Sequence, residues 1–474
     1  MEDNINNHQE ATFGISLLAI ASIVFIMFMG VMYLKTISIQ TCLIVSITLL
    51  CIISSYFLKY SFNELMDIMA KSIKNGAFGL WFFIAIGGII SSYMMSGTVP
   101  AIIYYGVKLI NPKIFLPACL LLSSITAIST GTSWGTVGTI GVALIGIGQG
   151  MGIPLPIIAA AIVSGATFGD KMSPISDTPN LASMASGSEL IPTIKAMMTT
   201  ITPAFIISFF IFAILGLKYS DTDIDYRIIE ETKTVLENNF NLNPIVLLPI
   251  FILLILTIKK FPSLPGMAIA ISLGIAISII FQNESFTKCI EALNSGFNIE
   301  TGSDYVDPIL NRGGLQNMLG TFSIAFLGIS MGGLLNECGY LKAIFTRLLR
   351  KIKGIESLSI VVMISSIMST ALLSEAYLSY ILNGAIYKKE FDRRGVSRVI
   401  LARLISEGGL MPAPLMPWTT FGAFCIATLG ISGIEFAPYA FLNYLSPIIS
   451  LLMTYMGIGI VWNKNKEREY RNDQ

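Results

Sequence analysis

AIVSGATFGDKMSPISDTPNLASMASGS, residues 161–188, sets charged and hydroxyl side chains directly after an apolar run. It contains Asp170, Lys171, Asp177 and Asn180, with three glycines, two prolines and eight serines or threonines. A charged residue at membrane depth costs roughly 2.5–3.5 kcal/mol on mild insertion scales, so such a segment persists there only where it lines a cavity or meets partners. Acidic oxygens and small hydroxyls beside helix breaks form the oxygen-rich pocket that Na⁺ or a proton relay requires. A polar loop outside the membrane is the alternative interpretation.

The rest of the sequence is typical of a polytopic membrane protein. Of 474 residues, 54% are hydrophobic and 12% are charged, whereas soluble domains carry about 25% charged residues. The mean hydropathy is +0.73. The net charge of +1 gives no reason to expect a nucleic-acid partner. The six cysteines lack metal-ligand spacing and the one histidine, His8, lies in the polar N-terminal tail, so we expect no disulfide framework and no cofactor.

Sequence similarity between two parts of the chain indicates an internal duplication. Residues 125–144 align with 367–386, and residues 160–178 align with 402–420 at nearly the same offset. Composition bias alone is the alternative origin of these matches. The duplication predicts three parts, which are a first transmembrane repeat at 1–218, an acidic linker at 219–243 and a second transmembrane repeat with a basic C-terminal tail at 244–474.

Charge predicts the orientation of the second half. Lys and Arg mark cytoplasmic segments of membrane proteins, and the acidic linker 219–243 suits the outside. The side of the N-terminus stays open, because residues 1–11 contain no Lys or Arg. The segments that we predict to be cytoplasmic are 347–353, 388–398 and 463–471.

Each half contains two polar interruptions. Short apolar segments meet at the tips TGTSWGT (130–136) and LLSEAYLS (372–379), and Ser/Thr/Pro breaks follow at 172–178 and 412–420. The second tip has basic segments on both flanks, which predicts a re-entrant hairpin. Four such elements meeting near the midplane form a transporter site, in which half-helix N-termini favour anions and unwound carbonyls favour cations. The predicted class is therefore an all-α polytopic membrane protein of two inverted repeats with re-entrant hairpins and broken transmembrane helices; ordinary kinked spans are the alternative.

Asp177 follows the first break and is our preferred Na⁺ ligand. Pro174 argues against one continuous helix through Asp170 and Asp177, so the two acids need not share a face. Asp170 is the second candidate, and a structural pair with the adjacent Lys171 is its alternative role. The hydroxyls beside Asp177 complete the first-half cation- and proton-binding set, which adds Ser173, Ser176 and Thr178. No catalytic residue is assigned.

The second half offers two further carboxylates. Glu375 lies at a tip and Glu407 lies beside two glycines. A carboxylate that holds either Na⁺ or a proton couples the two ions directly. The alternatives are an i,i+4 pair of Arg403 with Glu407 and, for Glu375, pairing with a charge or a helix end. The tip and break candidates are Thr132, Ser133, Ser374, Glu375, Glu407, Thr419 and Thr420, with Trp134 and Trp418 as packing residues or gates.

Several of these strings resemble a known family. GATFGDKMSPISDTPNLA (165–182), TGTSWGTVGTIGVALIGIG (130–148), SGTVPAIIYYG (96–106) and PLMPWTTFGAF (414–424) are similar to the NhaC family of sodium/proton antiporters, a family that includes malate–lactate exchangers. The resemblance covers most of residues 60–430 and implies exchange of cytoplasmic Na⁺ for external H⁺ across the bacterial inner membrane. It places the family's signature positions on Asp170, Ser173, Ser176, Asp177, Thr178 and Asn180.

The chain departs from this family at two places. The family usually has Asp-Gln before the Tyr-Leu-Ser of the second tip, where this chain has Glu375-Ala376. It also tends to have Glu-Asp where this chain has Ser406-Glu407. Both differences lie where a second ion or an organic substrate would bind, so they leave the substrate more open than the transport class.

The predicted function is secondary active Na⁺/H⁺ exchange by alternating access in a multi-pass protein of the bacterial inner membrane. The alternative within transporters is a Na⁺/H⁺-coupled exchanger of a small organic anion or amino acid of the malate/lactate type. A channel is disfavoured by the duplicated half-helix pattern, and an enzyme by the lack of HExxH, GxxxxGKS and any His–carboxylate pair. The expected partners are the lipid bilayer, Na⁺, H⁺ and a small carboxylate or amino acid; stoichiometry and oligomeric state stay open, with a homodimer as one assembly the sequence allows.

Overall fold

The computed structural model describes residues 8–34, 37–109, 111–221, 226–259, 261–349, 352 and 354–461. Within these residues the secondary-structure elements are all helices. Nine of them are long and apolar enough to cross a membrane, and up to twelve if each bent pair is one span. Large apolar side chains such as Phe25, Ile52 and Phe210 are exposed on their outer faces, as lipid-facing residues are. The all-α polytopic class is confirmed.

Ten helices form the part of the chain that precedes the acidic linker. π-helical turns extend the first of them over Phe28–Leu34 and join the sixth to the seventh over Val137–Gly141. The helices are α1 (Phe13–Met27), α2 (Ile39–Phe57), α3 (Phe62–Met95), α4 (Thr98–Leu109), α5 (Pro112–Thr130), α6 (Ser133–Thr136), α7 (Val142–Gly150), α8 (Leu155–Met172), α9 (Asp177–Ser186) and α10 (Leu190–Asp221).

Thirteen helices follow. Short 3₁₀ turns lie at Pro244–Leu247, Ala413–Leu415 and Ala437–Tyr439. The helices are α11 (Tyr226–Asn239), α12 (Leu248–Ile258), α13 (Ser263–Phe281), α14 (Phe286–Ser295), α15 (Asp307–Leu310), α16 (Leu315–Glu337), α17 (Tyr340–Leu349), α18 (Ile355–Leu373), α19 (Ala376–Arg393), α20 (Arg398–Leu410), α21 (Thr420–Leu429), α22 (Gly433–Phe436) and α23 (Phe441–Tyr455).

The predicted hairpin tips lie at corresponding places in the two halves. Asn111 starts α5 by accepting from the backbone N–H of Lys113 at 2.9 Å, and Gly131, with φ of 71°, ends the helix in the left-handed region. Ser374 ends α18 in the same way with φ of 59°, a conformation uncommon for a residue with a side chain. α5 and α18 are each 19 residues long and satisfy the length and hydropathy expected of a span. The re-entrant course and the inversion of the repeats therefore stay predictions.

Close helix packing positions the first break. A Cβ atom added at Gly169 of α8 would lie 2.8 Å from the backbone nitrogen of Ile128 in α5, too near for any side chain. Small residues at such positions let two membrane helices approach backbone to backbone. The last turn of α8 is thereby held against the helix that leads into the first tip.

The predicted cytoplasmic segments of the second half lie together at one end of the molecule. The Arg394 guanidinium donates to the carbonyl oxygens of Ile352 and Gly354 at 2.8 and 2.7 Å. The backbone N–H of Ser397 donates to the carbonyl of Val461 at 2.8 Å, which brings the last described residue to the same end. The predicted basic tail 463–471 lies outside the described residues, as do residues 350, 351 and 353.

The N-terminal part of the described chain shares this basic end. Gln9 donates its backbone N–H to the carbonyl of Leu58 at 3.1 Å, just before α3 begins. The Arg347 guanidinium lies 4.3 Å from the centroid of the Phe13 ring. Gln9 and the start of α1 therefore lie on the side of the basic segments.

The predicted acidic linker lies at the opposite end. Beyond the far end of α3, the Thr98 hydroxyl donates to the carbonyl of Val246 at 2.6 Å and the Tyr104 hydroxyl donates to Glu237 at 2.5 Å. Glu237 belongs to α11, so much of the segment 219–243 is helical. The positive-inside rule predicts that this end faces out of the cell and that the basic end faces the cytoplasm.

Candidate functional site

Asp170 joins the first tip to the first break. Its carboxylate, 3% exposed in the last turn of α8, accepts hydrogen bonds from the hydroxyls of Ser133 at 2.6 Å and Thr178 at 3.3 Å, and also from Ser176. Ser133 begins α6, Ser176 caps α9 and Thr178 lies in the first turn of α9. Among the described residues no basic side chain forms an ion pair with Asp170, so the alternative pairing with Lys171 is not found.

Glu375 makes the equivalent junction in the second half. Its carboxylate accepts from the Thr420 hydroxyl at 2.6 Å, and the backbone N–H of Thr420 donates to the carbonyl of Ser374 at 2.8 Å. Thr419 caps α21 by accepting from the N–H of Gly422 at 2.9 Å. The Ser374 hydroxyl is buried and has no hydrogen-bond partner among the described residues. The second tip and the second break therefore meet as the first pair does.

A small cavity lies where these four elements converge. Its volume is about 10 Å³, which is close to the space that one water molecule needs. Asp170 and Glu375 both face it, together with the orphan hydroxyl of Ser374. Its full lining comprises Ser133, Trp134, Asp170, Ser374, Glu375, Ala376, Tyr377, Leu410, Ala413, Thr419, Thr420 and Phe421. We call it the inner cavity; it suits one bare ion or one water molecule.

A second cavity lies beside the inner cavity, on the side of the basic end. Its volume is about 670 Å³, and it extends from Asp177 at the first break to Glu337 at the end of α16. Glu337 is 3.6 Å from the Lys71 ammonium, at the end of α16 that leads into α17 and its basic C-terminal turn. We call this cavity the vestibule. Its position offers a path from the predicted cytoplasmic side.

Trp134 separates the two cavities. Its ring lines both of them and stacks on Phe421 and Phe424, with centroid separations of 5.7 and 4.6 Å. Glu375 and Tyr377 are also shared by both linings. Trp134 comes from the first half and the two phenylalanines from α21 of the second, so this aromatic contact bridges the halves.

The remaining first-half candidates lie outside the inner cavity. Asp177 is exposed in the vestibule, and within the described residues its side chain makes no hydrogen bond to the Asp170 cluster. The Ser173 hydroxyl donates to the carbonyl of Ile128 at 2.7 Å, and the Asn180 amide donates to the carbonyl of Ser176 at 2.6 Å. The Thr132 hydroxyl caps α6 by accepting from the N–H of Gly135 at 3.3 Å. These three side chains stabilise the break and the tip by hydrogen bonds to backbone groups.

Glu407 pairs with a residue of the other half. Its carboxylate lies 2.5 Å from the Lys171 ammonium, and both side chains are fully buried. It also accepts from the hydroxyls of Thr200 at 2.8 Å and Ser446 at 2.5 Å. Arg403 instead donates to the carbonyl of Gly459 and the hydroxyl of Thr454, so the alternative of an i,i+4 pair is not found.

Sequence reasoning missed these partners of Glu407 because they come from distant helices. The one signal available was Lys171 itself, since an ammonium within an apolar segment requires a buried anion.

The carboxylate and hydroxyl oxygens around the inner cavity are of the kind that can bind a monovalent cation. Hydroxyl oxygens both donate and accept, so those of Ser133, Ser374 and Thr420 can turn their lone pairs toward a cation when the carboxylates are ionised. When a carboxylate is protonated, the same hydroxyls accept a hydrogen bond from its O–H. Asp170 and Glu375 can thus hold either a cation or a proton in the same space.

The chain is similar to proteins of known class. The profile of the Na⁺/H⁺ antiporter family matches residues 5–179 and 165–458. The Na⁺/H⁺ antiporter NhaC of Alkalihalophilus pseudofirmus is 33% identical over 456 residues, 95% of this chain and 97% of the relative. The malate-2H⁺/Na⁺-lactate antiporter of Bacillus subtilis is 34% identical over 86% of this chain and 87% of its own length. The arginine/ornithine antiporter ArcD of Halobacterium salinarum is 31% identical over 96% of this chain and 94% of its own length.

The chain is also similar to solved structures. The structure of Neisseria gonorrhoeae MtrF is 12% identical and covers 91% of this chain and 97% of its own, with a TM-score of 0.37. That score is too low to establish a common fold.

Proposed function

The chain belongs to the Na⁺/H⁺ antiporter family, and on that premise we propose that it exchanges Na⁺ for H⁺ across the bacterial inner membrane by alternating access. The inner cavity is the observation that carries the proposal. Two carboxylates from different halves, Asp170 and Glu375, face one space that fits a single bare ion. A Na⁺ bound there displaces a proton and a proton displaces Na⁺, which is the competition that exchange requires.

Access to this site supports an inward-facing conformation. The vestibule reaches the inner cavity from the basic end, which the positive-inside rule assigns to the cytoplasm. The stacked rings of Trp134 and Phe421 stand between the two cavities. Loading from the cytoplasm then requires only that this aromatic contact separates, whereas release on the far side requires movement of the two halves against each other.

The second candidate is exchange of an organic substrate, which the size of the vestibule favours. A volume of about 670 Å³ lies within the range of small-molecule pockets. The acids that line it are Asp177, Glu337 and Glu375, and no basic residue stands among its described lining. That charge disfavours a dicarboxylate such as malate and favours Na⁺ or a substrate carrying positive charge.

Ion-driven proton movement tests the proposal. In respiring everted vesicles that contain the protein and a pH dye, added Na⁺ should alkalinise the acidic lumen, because Na⁺ enters as H⁺ leaves. Li⁺, lactate, malate and arginine are then added singly to purified protein in liposomes. Lack of any response to Na⁺ or Li⁺ at neutral and alkaline pH, with the protein present in the membrane, would contradict the proposal; a response only to an organic substrate would establish the second candidate.

A further inference from the structure

The Lys171–Glu407 pair connects the ends of two broken helices. Lys171 lies in the last turn of α8 and Glu407 in the last turn of α20, and each helix stops directly before its break. The ammonium and the carboxylate are 2.5 Å apart with neither side chain exposed. Hydroxyls of Thr200 and Ser446 fill the other positions around the carboxylate.

Lys171 is also the residue next to Asp170. Neighbouring residues on a helix point to different faces, and here Asp170 faces the inner cavity while Lys171 faces α20. The groups nearest Asp170 are hydroxyls. Without Glu407, one uncancelled positive charge would remain a single residue away from the site that we propose for Na⁺.

The fully buried charges of this region balance. Asp170 and Glu407 supply two negative charges, and Lys171 and Arg403 supply two positive ones. Glu375, half-buried between the inner cavity and the vestibule, adds one negative charge that a single Na⁺ or proton neutralises. Loss of the Glu407 charge would make the core neutral before Na⁺ binds, and Na⁺ would then enter an environment with no charge to receive it.

We propose that Lys171 and Glu407 form a charge-compensating pair that positions Asp170 for Na⁺ without contacting the transported ion. Glu407 cancels the Lys171 charge and holds the ammonium against α20, on a different face of α8 from the inner cavity. Glu407 is thus a positioning residue for exchange. This inference rests on the proposed Na⁺/H⁺ exchange.

The pair predicts a specific pattern of variants. Glu407→Gln keeps the shape of the side chain and one of the two oxygens that accept from Thr200 and Ser446, and it leaves Lys171 uncompensated. The apparent KM for Na⁺ should therefore rise by roughly tenfold or more, the order of effect of one nearby like charge on ion affinity. The maximal rate at saturating Na⁺ should change much less. Lys171→Met combined with Glu407→Gln removes both charges and should bring the KM back to within a few-fold of the natural protein.

The experiment measures Na⁺-dependent H⁺ movement in liposomes at equal amounts of folded protein. Glu390→Gln is the matched control, because Glu390 is an ion-paired glutamate at the basic end of α19, bound to Arg393 and Arg394; its KM should equal that of the natural protein. If the natural protein shows no exchange, the proposed function fails. If it exchanges and Glu407→Gln leaves the KM unchanged, this inference fails while the function stands.

The double variant covers the case in which Glu407→Gln does not fold. Breaking a buried ion pair is strongly destabilising, whereas replacing both partners by uncharged groups is often tolerated. A folded double variant with a KM near that of the natural protein supports the inference. A double variant whose KM is raised by roughly tenfold or more would show that the ion pair itself, rather than charge balance, sets the affinity, and would overturn it.

Discussion

Asp170 and Glu375 face the same water-sized cavity although they belong to different halves of the chain. Each accepts a hydrogen bond from the hydroxyl of a threonine in the first turn of the helix that follows a break. The threonine is Thr178 for Asp170 and Thr420 for Glu375. These matched surroundings support the proposal that the two acids bind one ion together.

Asp170→Asn should abolish exchange while the protein still inserts and folds, because the amide keeps the shape of the side chain and cannot carry a proton in competition with Na⁺. Asp177→Asn is the matched variant; Asp177 is exposed in the vestibule, so its loss should reduce Na⁺ attraction and raise the KM by a few-fold at most. Na⁺-driven H⁺ movement in liposomes compares the two. The opposite order, with loss at Asp177 and retention at Asp170, would make Asp177 the ligand.

Glu375→Gln should change either the H⁺:Na⁺ ratio or the set of substrates, because it removes one of the two titratable groups of the inner cavity. Glu375→Asp keeps the charge and should slow transport more than it alters selectivity. Reversal potentials of reconstituted protein, at matched expression, give the ratio. An unchanged ratio and substrate set in Glu375→Gln would assign Glu375 a structural role at the end of α18.

Trp134→Ala should join the inner cavity to the vestibule. The readout is modification of Thr420→Cys by a membrane-impermeant thiol reagent applied from the cytoplasmic side, with the same background lacking that cysteine as reference. Labelling should accelerate by about twofold to thirteenfold, since a stacked aromatic pair is worth about 0.5–1.5 kcal/mol beyond its buried area. Trp134→Phe retains a ring against Phe421, so the introduced cysteine should be labelled slowly in that variant. Equal labelling rates with Trp, Phe and Ala at position 134 would exclude Trp134 as a barrier.

Gly169→Ala should destabilise the protein by about 1–3 kcal/mol, the usual cost of overpacking a well-packed interior. The added carbon would lie 2.5 Å from the Cβ of Ala127 in α5. Gly14→Ala provides the control, because a Cβ there meets nothing within 4 Å. Thermal unfolding in detergent measures both, and a Gly169→Ala protein as stable as Gly14→Ala would show that the two helices can separate without cost.

The sequence predicts the helices and their interruptions well, because Gly, Pro, Ser and Thr end or begin helices through the conformation of their own backbone or through side-chain capping. Gly131 and the residues around Pro174 end helices through their own backbone preferences. That the tips and breaks meet also follows from the pattern, since bare backbone in a membrane needs protein around it.

The sequence could not assign partners across the fold. The irregular backbone between α8 and α9 turns Asp177 toward the vestibule, and helical spacing does not describe the direction of a side chain after such a break. Lys171 contacts Glu407 only because the two halves pack together. The sequence around either residue therefore does not identify its partner. The choice of Asp177 as the Na⁺ ligand stays a prediction that the variants above decide.

The two cavity carboxylates come from positions that do not correspond in the two halves. At the constant offset of the duplication, Asp170 aligns with Pro412 and Glu375 aligns with Ser133. One half therefore supplies its acid from a broken helix and the other from a hairpin tip, a division of labour that two identical halves could not reproduce. A homodimer of either half alone would hold two copies of one contribution and none of the other, so a cavity with both acids requires two halves of different sequence in one molecule.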